Sequence, residues 1–230
     1  MEPMRYRTAA LGTVICFLLL YVICRWAGMS TWVFLLFFGL YVIISVTVTR
    51  IRAELGPPVH NMGGVNPQTI LMTIVGTRPF GTNNLVVFSL FSWFNGSNRS
   101  HPMPHQLEGF KIAERVGIRP KRLAIAMMIA VTIGVFSALW ALLHSAYQTG
   151  VSSGFTGYVG IPWESFRRLA GWMHYPGNTN SAELAFIGIG LTFSLTMMIL
   201  RFQFLWWPLH PVGYTLATSG WVINYIWFSF

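Results

Sequence analysis

Of 230 residues, 54% are hydrophobic and only 9% charged, more apolar surface than a soluble domain of this length can bury. Fifteen Lys and Arg stand against six acidic residues, all Glu, for a net charge of +9. Without Asp there is no Ser-His-Asp triad, and no Walker loop, dinucleotide fingerprint or cysteine metal pair occurs, so the chain reads as no enzyme.

In chain order, the first uncharged run covers 8–24, behind Arg5 and Arg7. Arg25 and Trp26 follow it with no Ala-x-Ala site, so it reads as an uncleaved helix and not as a signal peptide. Cys16 and Cys24 lie within it and behave as small hydrophobes. A second run, 31–49, begins within a few residues, which predicts an antiparallel hairpin with Trp26 and Trp32 at the membrane interface.

From Arg50 the composition changes. Arg52-Ala53-Glu54-Leu55-Gly56-Pro57-Pro58 leads through His60 and Asn61 to Gly63-Gly64, a stretch that no continuous helix survives. Asn66-Pro67 then supplies an N-cap and a favoured first helical residue, predicting a short helix over Pro67–Val75. Arg78 lies in the turn Gly76-Thr77-Arg78-Pro79-Phe80-Gly81, and Asn83 and Asn84 open a second short apolar run ending at Phe94. Neither run can cross a core of about 30 Å alone, so 67–94 predicts broken or re-entrant helices.

His101, His105 and Glu108 have the i, i+4, i+7 spacing of three ligands on one helix face, but Pro102 and Pro104 break that helix, leaving a weak metal candidate. Residues 106–122 mix apolar and charged side chains as a cytoplasmic amphipathic helix would. Runs 123–143 and 184–200 complete the set of four spans, and Trp163 to His174 between them suits an interfacial helix. The uncharged 202–230 contains Pro208, Pro211, Gly213 and Gly220 and reads as another broken helix, carrying His210. It stops on apolar residues with no polar flank, which predicts a fragment of a longer chain.

The expected fold is therefore all-α: one polytopic integral membrane helical bundle over 1–230, with broken or re-entrant helices. Simple alternation of the four spans puts most Lys and Arg on one side and only Arg25, Arg167 and Arg168 on the other. This positive-inside bias predicts an inner (plasma) membrane protein with a cytoplasmic N-terminus, whose basic residues meet anionic lipid and not nucleic acid. Polar residues gathered at helix breaks are the candidate substrate-binding set: Arg52, Glu54, His60, Asn61, Asn66, Arg78, Asn83, Asn84 and His210. The competing readings are a solvated interfacial pair at Arg52 and Glu54, an interfacial anchor at Arg78, loop punctuation by single Asn residues, and a helix kink at His210.

Gln106-Leu107-Glu108-Gly109-Phe110-Lys111, followed by Gly117-Ile118-Arg119-Pro120-Lys121-Arg122 and a span with Gly134, resembles the cytoplasmic helix and next span of prokaryotic oligopeptide transporter family proteins. Arg52 to Pro57 before Asn66-Pro67 is similar to that family's Gly-Glu-x-Gly segment, with Ala53 and Leu55 departing from it. Arg-Ala-Glu-x-Gly-Pro-Pro, His-Pro-Met-Pro and Trp-Trp-Pro-Leu-His-Pro resemble, more closely, the C-terminal part of large uncharacterised bacterial membrane proteins. The resemblance implies a transporter-like protein, with small peptides or metal chelates as the substrates of characterised relatives.

The expected function is a secondary permease for a small polar solute, with Glu54 as a proton-coupling carboxyl and no cofactor. The alternative is a non-transporting subunit whose ten Trp and eighteen Phe pack against other membrane subunits or the rest of a longer chain. A metalloenzyme built on His101, His105 and Glu108 is the third.

Overall fold

Hydropathy and capping residues account for most of the secondary structure. The computed structural model describes residues 4–56, 65–96, 101–150, 156–204 and 206–213. Among these there is no strand, and four helices are long and apolar enough to cross a membrane. They are α1 (Tyr6–Trp26), α2 (Thr31–Leu55), α6 (Pro120–Thr149) and α8 (Ser181–Gln203). At 1.5 Å per residue they run from about 31 to about 45 Å, enough for a bilayer core. The shorter helices are α3 (Pro67–Val75), α4 (Gly81–Asn95), α5 (Pro102–Val116) and α7 (Thr156–His174), with a 3-10 turn at Arg78–Phe80.

Three boundaries differ from expectation for local reasons. Helix α2 passes Arg50 and ends at Leu55, because Arg50 and Glu54 form an i, i+4 ion pair and only Gly56, at φ +60, turns the chain out of the helix. Helix α5 begins at Pro102, since Pro102 and Pro104 both fall in its first turn, where proline removes no intrahelical bond. It ends before Gly117 at φ +77, so the expected 106–122 helix divides into α5 and the start of α6. Pro57 to Gly64, and 214–230 within the second expected broken segment, lie outside the described residues.

The chain forms two compact units. One comprises 1–27 with 105–168, the other 28–104 with 169–230. In the first, Gly109 of α5 faces Met127 and Leu123 of α6. Lys111 pairs with Glu114 along the exposed side of α5 at 2.7 Å, which holds the Glu114 carboxyl below the usual carboxylate range. No residue of α6 is buried.

The second unit holds the core. Trp32 stacks on Phe80 at 5.4 Å, Phe37 on Phe88 at 5.4 Å, and Tyr41 meets Phe94 edge-on at 5.5 Å. Partner numbers rise together along both helices, so α2 and α4 run parallel with aromatic rings between them. Each such pair adds about 0.5–1.5 kcal/mol beyond the area it buries. Helix α3 packs on both α2 and α8.

A clamp fixes the turn between α3 and α4. Thr77 N–H donates to Gly177 O at 3.0 Å, Gly177 N–H donates to Thr77 Oγ1 at 2.9 Å, and Thr179 Oγ1 donates to Ile74 O at 3.1 Å. Gly76 has φ +82, and a Cβ there would lie 2.9 Å from the backbone of Gly177, Asn178 and Thr179. Only glycine fits that approach.

Candidate functional site

The broken helices α3 and α4 carry the polar interior of the second unit. Asn66 caps α3 as its sequence implies, its side-chain oxygen accepting from Thr69 N–H at 2.8 Å, with Pro67 in the first helical position. This end of α3 is enclosed: Asn66, Pro67 and Gln68 are all buried. Gln68 Oε1 accepts no hydrogen bond there from the described residues.

On α4, Asn84 and Asn95 are eleven positions apart, a rotation that brings both onto one stripe together with Phe88. Asn84 is fully engaged. It accepts from Ser30 N–H at 2.8 Å and donates to Phe80 O at 2.6 Å and to Ser30 Oγ at 3.1 Å, closing the start of α2 onto the start of α4. Asn95 is equally enclosed, at 3% exposure, yet neither Oδ1 nor Nδ2 has a partner among the described residues. Ser89 Oγ, also buried, is unpartnered as well. Each such atom costs about 1–3 kcal/mol of lost hydration unless something polar reaches it.

Beyond Asn95 the polar character continues. Ser45 Oγ donates to Tyr41 O at 2.6 Å and lies 2.9 Å from His101 Nε2, and the His101 and Tyr41 rings are 5.8 Å apart. His101 Nδ1 accepts from Met103 N–H at 3.3 Å, so Nε2 carries the ring hydrogen and donates to Ser45. Thr49 Oγ1 donates back to Ser45 O at 2.7 Å.

The remaining positions singled out by sequence are scattered. Glu54 is exposed and held by Arg50 at 2.7 Å, not by Arg52, which is half-buried. Arg78 and Asn83 are exposed, Arg78 N–H donating to Gly177 O at 3.3 Å and Asn83 lying against Gly28. His210 is half-buried and its Nδ1 accepts from Val212 N–H at 3.1 Å, while Val212 packs on Val48 and Ile51 of α2. His60 and Asn61 lie outside the described residues. Of the weak metal candidates, His101 faces Ser45 and Tyr41 and His105 stands 4.0 Å from Glu108, and no three potential ligands gather among the described residues.

Sequence reasoning missed Gln68, Ser89, Asn95 and Ser45. Two had a legible signal. Gln68 is the second residue of the short helix that Asn66-Pro67 announces, and Asn95 repeats Asn84 at a spacing that returns to the same helix face. Ser45 and Ser89 look like any small residue of an apolar run, and only their tertiary surroundings single them out.

No curated protein and no solved structure matches this chain, so the likeness to oligopeptide transporters stands on its short motifs alone. A family model described as a family of unknown function, DUF6785, matches residues 1–230, and the chain belongs to that family.

Proposed function

We propose that this chain is, or forms part of, a helical permease that moves a small polar solute across the membrane. The observation that carries the reading is the set of enclosed, unpartnered polar atoms on two helices too short to span a bilayer: Gln68 Oε1 on α3, and Ser89 Oγ and both Asn95 amide atoms on α4. In a membrane such groups are costly, and a polar solute, or the water that accompanies it, is what offsets them. The charge distribution supports an inner-membrane placement with the N-terminus in the cytoplasm. Glu54 has no part in this reading, since its side chain is exposed and paired with Arg50 and is not among the enclosed polar groups.

Purified protein in liposomes tests it: solute entry above that of protein-free liposomes is expected, and its absence for every polar solute tried rejects the reading.

One observation favours the non-transporting subunit. Not one residue of α6 or of α8 is buried, so both leave most of their apolar surface to lipid or to a partner. Purification in mild detergent separates the two readings. A stoichiometric partner, together with no flux by the isolated chain, identifies a subunit.

A further inference from the structure

The whole chain has six acidic side chains, all Glu, and five of them are described. Each of the five is engaged: Glu54 with Arg50, Glu108 with His105, Glu114 with Lys111, Glu164 with Arg167 and Arg168, and Glu183 with the Asn180 amide. Four exposed cations at the join of α5 and α6 are treated differently. Arg119, Lys121 and Arg122 have no ion pair among the described residues, and Arg115 feels only Glu114, already bonded to Lys111 at 2.7 Å. The acidic side chain that remains, Glu2, lies outside the described residues and can match only one of the four.

These cations stand at the edge of a spanning helix. The uncharged run of α6 begins at Leu123, directly after Arg122. Gly117, at φ +77, turns the chain between the two helices, and Gly109 comes back to lie against Leu123 and Met127 in the first turns of that run. Helix α5 therefore flanks the end of α6 at which a bilayer would give way to water. Gly109, Ile112 and Val116 share one face of α5 by their spacing, so the exposed Ile112 and Val116 are turned the same way as the contact with α6. Lys111 and Arg115 form the adjoining stripe, and Ile118 is exposed just past the helix end. Exposed apolar side chains bordered by basic ones suit a helix at headgroup level, with the apolar groups in the acyl boundary and the cations reaching up to phosphate.

We infer that α5 and the first turn of α6 form a seat for anionic phospholipid, in which Arg115, Arg119, Lys121 and Arg122 meet the headgroup phosphates while Ile112, Val116 and Ile118 enter the acyl boundary. A zwitterionic headgroup carries its own cation beside the phosphate and leaves these four charges unmatched, whereas an anionic one neutralises them. A permease and a non-transporting subunit would carry this seat alike.

The test uses the full chain in an uncharged detergent, offered equal amounts of phosphatidylglycerol and phosphatidylcholine, with retained lipid counted by native mass spectrometry. Retention of phosphatidylglycerol about tenfold above phosphatidylcholine is expected. Equal retention of the two overturns the inference. The combined variant Arg115→Gln, Arg119→Gln, Lys121→Gln and Arg122→Gln is expected to bring the ratio near unity, and Arg167→Gln with Arg168→Gln to leave it as it was. Since the four charges also bias insertion, the single substitutions are measured alongside, each expected to lower the ratio severalfold. An unchanged ratio in the combined and single variants, or an equal fall in the α7 variant, overturns the assignment to these residues.

Two further arms settle the chemistry of the occupant. Excess inorganic phosphate is expected to leave phosphatidylglycerol bound, and its displacement marks an adventitious ion site and overturns the lipid seat. Ile112→Gln with Val116→Gln is expected to weaken retention while all four cations remain, and undiminished retention overturns the part given to the apolar face.

Discussion

The two ends of α4 carry the same residue on the same stripe and treat it in opposite ways. At the turn end, Asn84 makes three hydrogen bonds that tie α2 to α4, beside a glycine clamp that ties α3 to the loop before α8. At the other end, Asn95 is just as enclosed and has none among the described residues. A buried amide therefore has no fixed meaning: with partners it is a rivet, and without them it is a cost that some further polar group must offset.

Removing the rivet end should do the most damage. Gly76→Val places a branched side chain at φ +82 against the backbone of Gly177 to Thr179, and is expected to lower stability by more than about 3 kcal/mol, read as loss of the folded species in a detergent melt.

Asn84→Leu should come next. It strands Ser30 N–H and Phe80 O and is expected to cost about 1–3 kcal/mol, with hydrogen exchange rising at the start of α2. Asn95→Leu makes the same chemical change eleven residues on, and its effect on the melt should be neutral or opposite in sign. Equal destabilisation by the two substitutions would erase the contrast between the ends.

Ser45→Ala sharpens the picture near Asn95 by removing the acceptor of His101 Nε2. A loss of about 1 kcal/mol is expected, together with a shifted ring nitrogen resonance for His101. Glu54→Gln, which breaks only an exposed pair, should leave the melt and the flux unchanged.

The smallest effect is expected on α5. The Glu114 carboxyl lies below its ordinary range because of Lys111, so the pair's contribution is complete above the unfolded carboxyl range and is lost as pH falls through the folded one. A slight acid-side drop in helicity, absent in Glu114→Gln, would show it.

Much of the scaffold was legible because its causes are local. Uncharged runs locate α1, α2, α6 and α8, and the Asn66-Pro67 pair announces α3 from its first residue to its last. Boundaries slipped where a local signal was given the wrong weight. Gly56 ends α2 only after Arg50 and Glu54 have completed their i, i+4 pair, and Pro102 and Pro104 open a helix that prolines deeper inside would have broken.

The candidate site was less legible, because hydrogen-bond satisfaction is a property of neighbours. Of the Asn residues put forward, Asn66 has its partner three residues away and was readable, whereas Asn84 finds Ser30 across 54 positions. By itself the sequence determined that the chain is helical, that four helices are apolar enough to span a membrane, and where caps and glycines stop them, since hydropathy and backbone preference act over a few residues. Only the tertiary structure decided which buried polar groups are paired and which stand open, since that depends on contacts between helices far apart in the chain.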